Sequence, residues 1–531
     1  MKAILSVCTL LFLFLSACSQ TADPLETAGC NGDGSCPPGQ ECAGGGCVES
    51  VPTVYPHIQL ASALFRDPLD DVEADWRATH NDLLIGIVPS TVPMTRALNS
   101  SVRLFTYMNM RHLINVGEAE AWAARNGYDV EDFFLHYRED ITLGGYENIV
   151  LVEGYPPGVV PGWNPDPQPG DPPASATERS QARVPGRASA YHDTWYYANI
   201  TDPGCRRFFE YNAASLIDGS FYGHSFDGGA LEGILTDVVL WYPMFNEGYV
   251  DRTVEFYGMP LDDSHPYAYG FATFQPELQS ALNARFTSFP DVMPNYGHVF
   301  WLRQPDPFSQ TVKAAMDWFW GEVWIMYRGG SGPLRGPLKV VSWENDYEAS
   351  IADIVRMTRA GDRVVLGAYN FATDKARGRL YTLALYYLVS NRNTWYEYET
   401  ASSHMNSAPV REWQWNPAVE FDIGSPAEVP AGMSDFDGNN GTTEHYILDT
   451  GPDPVDSTLT YHVLARNFSN GMVLAKMLPW GSTVDSLSIT THELDGSYYL
   501  LNADGTPGPA VTSVSLRNNE GVILVRTSGG N

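Results

Sequence analysis

The chain has 531 residues, of which 63 are Asp or Glu and 32 are Lys or Arg, so its formal net charge is −31. A hydrophobic share of 44% with only 18% charged residues excludes wholesale disorder and provides core material for two or more domains. The acidic balance disfavours a nucleic-acid-binding surface, because phosphate backbones are bound by clustered Lys and Arg.

Residues 1–17 have the features of a signal peptide. Lys2 supplies positive charge, and the apolar run Leu10–Leu15 is too short to span a bilayer. The segment LSAC, which ends at Cys18, resembles the bacterial lipobox, and that resemblance implies cleavage before Cys18 and its acylation. Ser19 in place of Asp implies the outer membrane. We therefore expect a lipid-anchored protein of the outer membrane or cell surface; an ordinary signal peptide with an incidental cysteine is the alternative.

Residues 18–50 form a Gly/Pro-rich segment with closely spaced cysteines. These are Cys30, Cys36, Cys42 and Cys47. Export to an oxidising compartment favours two disulfides over a metal site, and three pairings are open. We predict a small disulfide-bonded linker. The remaining cysteine of the mature chain, Cys205, is predicted to be a buried free thiol.

Residues 51–405 alternate short apolar runs with amphipathic stretches, which predicts βα units and a parallel sheet. The candidate strands are His57–Leu64, Asp82–Val88, Arg103–Met108, Trp195–Ile200, Tyr222–Asp227, Asp291–Asn295, Met316–Val323, Lys339–Trp343 and Arg363–Tyr369. The candidate helices are Asp71–His80, Glu118–Asn126, Pro203–Ile217, Pro276–Phe286, Asp346–Arg359 and Lys375–Val389. The spacing predicts a (β/α)8 TIM barrel of α/β class with insertions, and one candidate strand must lie outside it.

Residues 406–531 lack helical periodicity. Short apolar runs separated by Gly, Asn and Asp turns predict strands near Leu459–Ala465, Gly471–Leu478, Ser486–Leu494 and Val522–Arg526, among others. This pattern predicts a C-terminal antiparallel β-sandwich. Such a module more often packs against a barrel than carries chemistry.

Acids at predicted strand ends are candidates for catalysis, because the active site of a barrel lies at the C-terminal ends of its strands. Asp227 ends one predicted strand before two glycines, and Glu322 ends an aromatic-rich strand that contains Trp320. Two such acids can flank a glycosidic bond, one as nucleophile or base and one as acid. The structural alternative is that Asp227 caps a turn and Glu322 forms a salt bridge.

Several short segments occur in an order typical of one group of enzymes. They are RLFTY (103–107), YANITDP (197–203), FDG (226–228), MPN (293–295), DWFWGE (317–322) and RNFSNGMVL (466–474). Together they resemble TIM-barrel glycoside hydrolases of the hypothetical glycosyl hydrolase family 15 group and the family-114 endo-α-1,4-polygalactosaminidases. Each segment is short, and it is their order that makes the resemblance specific.

The resemblance implies an aspartate nucleophile after strand 4 and an acid donor after strand 6, which map to Asp227 and Glu322. It also implies that Tyr107 and Asn295 line the sugar subsite. The family has a further Asp after its "FDG" segment, in a pattern "FLD", that has no counterpart in this register. Two explanations are open: Glu232 replaces that acid, or the register is different.

Other residues are candidates for sugar contacts. Glu344 follows a predicted strand and is the reserve for the acid, Tyr369 ends the last predicted barrel strand, and Trp320 belongs to the aromatic wall. The histidines are scattered, so we expect no metal site and no cofactor. Residues 435–441 resemble a calcium loop, but a plain polar turn is favoured because the glycine is one position late.

The sequence therefore predicts a surface-anchored, monomeric glycoside hydrolase that cleaves a polysaccharide or oligosaccharide with a carboxylate pair. One alternative is a non-catalytic glycan-binding surface lipoprotein, in which the acids have no catalytic use. Another is a polysaccharide lyase, which would need a Tyr, His or Lys base next to a uronate.

Overall fold

A computed structural model divides the chain into two units, Met1–Tyr55 and Pro56–Asn531. In the first unit it describes residues 40–43 and 46–49. In the second it describes residues 58–64, 68–110, 112–113, 115–136, 183, 185–189, 192–220, 231–237, 266–288, 290–295, 307–328, 339–341, 347–370, 375–400, 409–436, 438, 442–477 and 488–526.

The described part of the first unit is a β-hairpin. Strand β1 (Gln40–Ala43) pairs antiparallel with β2 (Gly46–Glu49), and the register places Cys42 opposite Cys47. Cys18, Cys30 and Cys36 lie outside the described residues. The disulfides and the lipidation of Cys18 stay predictions.

The second unit begins with a sheet of parallel strands interrupted by an insertion. In chain order its strands are β3 (Leu60–Ala63), β4 (Leu83–Ile85), β5 (Arg103–Asn109), β6 (His112–Leu113), β7 (Pro185–Ser189), β8 (His192–Tyr197), β9 (Gly233–Asp237), β10 (Asp291–Pro294), β11 (Trp318–Arg328), β12 (Lys339–Val341), β13 (Arg363–Asn370) and β14 (Thr394–Glu399). Strands β6, β8 and β7 form a separate antiparallel sheet, and β12 pairs antiparallel with β11.

The other eight strands form a closed ring. Their order is β3-β4-β5-β9-β10 on one side and β3-β14-β13-β11 on the other, and every pair is parallel. A parallel bridge between Asn295 and Trp320 joins the end of β10 to β11 and closes the ring. Eight parallel strands, in sequence order around the ring and connected by helices, define a (β/α)8 barrel. The predicted TIM barrel is confirmed.

The helices lie between the strands in the order the barrel requires. They are α1 (Asp71–His80), α2 (Val92–Leu98), α3 (Val116–Asn126), α4 (Pro203–Asp218), α5 (Pro266–Arg285), α6 (Pro307–Ala315), α7 (Tyr347–Ala360), α8 (Lys375–Val389) and the single turn α9 (Val410–Trp413). All six predicted helices are present. Local signals fix their starts: the Asp202 carboxylate accepts the Cys205 backbone N–H at 2.8 Å, and Pro203 occupies the first turn. Cys205 itself is a buried free thiol, as predicted.

Two predicted strands lie outside the barrel, and two barrel strands were missed. The predicted strand Trp195–Ile200 corresponds to β8 of the insertion, and Lys339–Trp343 corresponds to the antiparallel β12. The missed strands are β9 and β14. Strand β14, with the sequence TWYEYE, contains one Thr and two Glu, yet all six residues are buried. The predicted strand Tyr222–Asp227 lies outside the described residues.

The C-terminal region is an antiparallel sheet. Its strands are β15 (Tyr446–Pro452), β16 (Thr460–Phe468), β17 (Gly471–Met477), β18 (Ile489–Leu501), β19 (Pro507–Arg517) and β20 (Glu520–Arg526), in the order β15-β16-β17-β20-β18-β19. Alternate residues face opposite sides: Leu464, Val473 and Ile523 join the core shared with α8, whereas Val463, Leu474 and Leu524 form a second core. The predicted C-terminal antiparallel β-sandwich is confirmed as an antiparallel sheet domain, whose described strands form one six-stranded sheet.

Arg466 attaches this sheet to the barrel. Its Nη1 atom donates to the carbonyl oxygens of Tyr387, Leu388 and Ser390 at 2.9, 3.2 and 2.8 Å, at the C-terminal end of α8. A cation at this end also interacts favourably with the helix dipole. The segment 466–474 that was prominent in the sequence is therefore a docking element. Within the described residues, no helix is long and apolar enough to cross a membrane.

Candidate active site

The barrel interior is built in layers. Its apolar layers consist of Ala61, Ala63, Leu83, Ile85, Phe105, Leu235, Met293, Trp318, Trp320, Val365 and Trp395. Successive side chains of a strand point to opposite faces, so the residue two positions later also points inward. On β5, β9, β10 and β11 that next inward residue is polar: Tyr107, Asp237, Asn295 and Glu322 follow Phe105, Leu235, Met293 and Trp320. A polar layer therefore lies on the apolar core at the C-terminal ends of the strands, where barrel active sites form.

The Asn295 amide bridges two carboxylates of this layer. Its Nδ2 atom donates to Asp237 Oδ1 at 2.8 Å and to Glu322 Oε2 at 2.7 Å. The two carboxyl oxygens are therefore at most about 5.5 Å apart, and about 4.8 Å apart if the bonds leave the trigonal nitrogen at 120°. The backbone of Asn295 is fixed as well, because its N–H donates to the Thr236 carbonyl at 2.9 Å.

Two tyrosines donate to the same carboxylates from the flanking strands. The Tyr107 hydroxyl donates to Asp237 Oδ2 at 2.7 Å, and the Tyr369 hydroxyl donates to Glu322 Oε1 at 3.3 Å. Burial raises the pKa of both phenols well above the usual value, and the neighbouring carboxylates raise these pKa values further. Both tyrosines therefore remain protonated donors at physiological pH.

A β-bulge sets the position of Glu322. The register between β11 and β13 shifts between Gly321 and Ile325, so the strand bends at this residue. Glu322 is half-buried, whereas Gly321 before it is buried. The backbone carbonyl oxygen of Glu322 packs directly on Gly367 of β13, and a Cβ atom added to Gly367 would lie only 2.0 Å from that oxygen. A glycine at 367 is what allows the bulge to approach.

Two further acids lie inside the barrel on β14. Glu397 and Glu399 are 0% and 1% exposed. Glu397 accepts a hydrogen bond from Trp320 Nε1 at 2.6 Å, and Glu399 accepts one from Gln414 Nε2 at 3.0 Å. Both carboxylates contribute to the raised pKa of Tyr369, after burial and Glu322, so they lie within electrostatic reach of the site. Sequence reasoning missed both, because β14 itself was missed.

The structure brings together four of the predicted site residues: Glu322, Tyr107, Asn295 and Tyr369 form one hydrogen-bonded set with Asp237. Trp320 lies below this layer and is 1% exposed, so its ring presents no open face in this structure. A sugar contact of Trp320 stays a prediction. Glu344 lies outside the described residues, as does Asp227, and their roles stay predictions.

Asp237 occupies the position on the fourth barrel strand that the sequence analysis gave to Asp227. It ends β9, which lies between β5 and β10 in the ring. A weak signal was present in the sequence, since the apolar pair Ile234-Leu235 is followed two residues later by Asp237. Glu232, which the sequence offers as a replacement for the family's further Asp, lies at the opposite end of β9 from Asp237. It sits before the start of β9, where its carboxylate accepts the Leu104 backbone N–H at 2.7 Å and pairs with Arg96.

In the described part of the region that resembles a calcium loop, Asp435 makes contacts within the protein. The Asp435 carboxylate accepts a hydrogen bond from the Thr442 hydroxyl and lies 3.7 Å from an Arg359 guanidinium nitrogen. These contacts fit a polar turn. Across the described ranges, no group of three or more His, Cys, Asp or Glu side chains could hold a metal ion.

Comparison with known proteins gives likeness in structure only. No protein-family model and no curated protein matches the chain. The glycoside hydrolase domain of PelA from Pseudomonas aeruginosa is 10% identical, with 64% of this chain and 94% of that one covered and a TM-score of 0.32. A MutB variant in complex with the substrate sucrose is 8% identical, with 88% and 98% covered and a TM-score of 0.40.

A third solved structure is the acarbose-soaked debranching enzyme of Nostoc punctiforme. It is 10% identical, with 89% of this chain and 97% of that one covered and a TM-score of 0.37. All three TM-scores lie below 0.5. The barrel is therefore assigned from the strand order of this chain, and its function must be argued from its own side chains.

Proposed function

We propose that this protein is a retaining glycoside hydrolase, with Asp237 as the nucleophile and Glu322 as the acid/base. The observation that carries the proposal is the Asn295 amide, which bonds to both carboxylates. Retaining enzymes place their two carboxyl groups about 5–5.5 Å apart, whereas inverting enzymes need about 6.5–9.5 Å to admit a water. A shared amide nitrogen keeps the facing oxygens within the shorter range.

The reaction takes two steps. In the first, an Asp237 oxygen forms a bond to the anomeric carbon while the bond from that carbon to the leaving oxygen breaks, and the Glu322 proton moves to the leaving oxygen. In the second, Glu322 takes a proton from a water whose oxygen attacks the anomeric carbon, and the bond to Asp237 breaks. Two inversions at one carbon retain its configuration.

The surroundings of the two carboxylates support this division of roles. Asp237 accepts two short bonds, from Tyr107 and Asn295, and donors of this kind favour the ionised form that a nucleophile needs. Tyr369, which donates to Glu322, also lies within electrostatic reach of Glu397 and Glu399. Neighbouring negative charge favours the protonated form of a carboxyl group, as an acid catalyst requires.

The test is hydrolysis of a broad glycan panel, followed as new reducing ends and by mass spectrometry. Asp237→Asn and Glu322→Gln should each lower kcat by about 10³-fold or more, because the role of each carboxylate in bond cleavage is lost. Asp75→Asn makes the same chemical change on the exposed face of α1 and serves as the matched control with unchanged kcat. Full activity in both site variants would contradict the assignment.

The nucleophile can be identified separately. Asp237→Ala with added azide should regain turnover and release a glycosyl azide, because a small anion fits the space that the carboxylate leaves. Glu322→Ala should not give a glycosyl azide with the anomeric configuration of the one released by Asp237→Ala. Glycan binding without turnover in the wild-type protein, unaffected by Asp237→Asn, would instead support the non-catalytic glycan-binding alternative.

We also propose that the enzyme is anchored to the outer membrane or cell surface through Cys18 and acts there on a polysaccharide or oligosaccharide. The support is the sequence of residues 1–18. Cys18→Ser should abolish incorporation of radiolabelled palmitate and release the protein from membranes, while glycan hydrolysis is unchanged. Labelled, membrane-bound Cys18→Ser protein would refute the anchor.

A further inference from the structure

Asn109 contacts Tyr107, the tyrosine that donates to the candidate nucleophile Asp237. It is the last residue of β5 and points into the barrel two positions after Tyr107. Its Nδ2 atom donates to the Tyr107 hydroxyl oxygen at 3.1 Å, and its Oδ1 atom accepts the backbone N–H of His112 at 3.0 Å. Asn109 is buried, so these contacts are made away from bulk water.

The contact with His112 determines which way the amide of Asn109 faces. A backbone N–H can only donate, so the atom that faces His112 must be the carbonyl oxygen of the Asn109 side chain. The amino group then faces Tyr107 and must donate to its hydroxyl oxygen. A tyrosine hydroxyl has one proton, and with Asn109 as a donor the proton of Tyr107 is directed to Asp237 Oδ2, 2.7 Å away.

We propose that Asn109 is a positioning residue that directs the single hydroxyl proton of Tyr107 onto Asp237. The inference rests on the proposed function, because it assigns to Asp237 the role of nucleophile. Asn109 acts through Tyr107 and does not itself touch the reacting atoms. A carbonyl or carboxylate in its place would draw the same proton away from Asp237.

The surroundings of Asp237 make this proton significant. Tyr107 on β5 and the Asn295 amide, just after β10, both donate to Asp237, and the same amide also donates to Glu322 on β11. The two donors favour the ionised form of Asp237, which the proposed nucleophile needs. Loss of one donor is therefore expected to raise the pKa of the Asp237 carboxyl.

The test measures that pKa directly, in the full-length protein with ¹³C-labelled Asp carboxyl carbons, and the Asp237 signal is assigned by its absence in Asp237→Asn. Tyr107→Phe removes the hydroxyl and should raise the pKa by about one unit. Asn109→Asp replaces the donor with an acceptor and should raise it by at least about as much. In the Tyr107→Phe background, Asn109→Asp should add less than half of its single effect.

The double variant separates the proposal from simple charge repulsion. If the shift caused by Asn109→Asp is fully retained without the Tyr107 hydroxyl, the new charge acts through space and the proposal is wrong. An unchanged Asp237 pKa in Tyr107→Phe also overturns the proposal. This second variant keeps the test decisive if Asn109→Asp does not fold. Asn283→Asp, an exposed change of the same chemistry on α5, is the control with no shift.

The pH profile of glycan hydrolysis provides the second readout. The acidic limb of kcat/KM should move to higher pH in Asn109→Asp, in step with the pKa of Asp237. A purely structural defect would lower kcat/KM at all pH values without moving the limb. If the Asp237 pKa shifts as expected but no glycan is cleaved, the proposed function is wrong and the positioning role of Asn109 is retained. If glycan is cleaved but the Asp237 pKa does not shift, only the positioning role of Asn109 is refuted.

Discussion

Gly367→Ala tests whether the bulge at Glu322 is needed for catalysis. An added Cβ would lie 2.0 Å from the Glu322 carbonyl oxygen, 2.6 Å from its carbonyl carbon and 3.0 Å from the Gly321 carbonyl oxygen. Ordinary contacts need more than 3 Å, so the Glu322 backbone must move by about 1 Å. A displacement of that size lowers catalysis by about 10²-fold.

The assay combines kcat on the hydrolysed glycan with urea unfolding. We expect kcat to fall by about 10²-fold and the free energy of unfolding to fall by about 1–3 kcal/mol from the strain. Gly117→Ala, in helix α3, is the matched control, because the nearest atom to the added Cβ, Asn115 Oδ1, is 3.9 Å away. It should keep kcat and raise stability slightly. Wild-type kcat in Gly367→Ala would refute the reasoning.

Two further predictions concern stability. Arg466→Ala removes the donor to the carbonyls of Tyr387, Leu388, Ser390 and Thr443, so the free energy of unfolding in urea should fall by about 3 kcal/mol. Arg207→Ala, at an exposed arginine, should change it by less than about 0.5 kcal/mol. Equal effects of the two substitutions would contradict the docking role of Arg466. Burial raises the pKa of Asp362 to about 6, so its ionisation destabilises the folded state as pH rises from about 4 through 6. Asp362→Asn should therefore raise the melting temperature at pH 7.5 and leave it unchanged at pH 3.5. A higher melting temperature at pH 3.5 alone would contradict the claim that ionised Asp362 destabilises the folded state.

The barrel and its helices could be predicted because their signals are local. Asp70 and Asp202 cap α1 and α4, and the periodicity of the helices is retained in the fold. Glu322 was predictable as an acid that follows a run of aromatic strand residues, and Tyr107 and Asn295 were predicted through the family resemblance.

The remaining features depend on tertiary contacts. Strand β14 was missed because Glu397 and Glu399 are fully buried, which carboxylates rarely are without partners, and the partners Trp320 and Gln414 come from distant positions in the sequence. The place of Asp237 at the end of the fourth barrel strand follows from the pairing of β9 with β5 and β10, and the role of Asp227 stays a prediction. A short segment that ends in an acid occurs at both places, and sequence periodicity does not distinguish them.

The central claim is that Asp237 and Glu322 form a retaining pair. The most direct measurement is the anomeric configuration of the first product, followed by proton NMR from the start of hydrolysis and before mutarotation. We predict that the released sugar has the configuration of the bond that was cleaved, because the Asn295 amide keeps the two carboxylates too close for an intervening water. First formation of the opposite anomer would contradict the account.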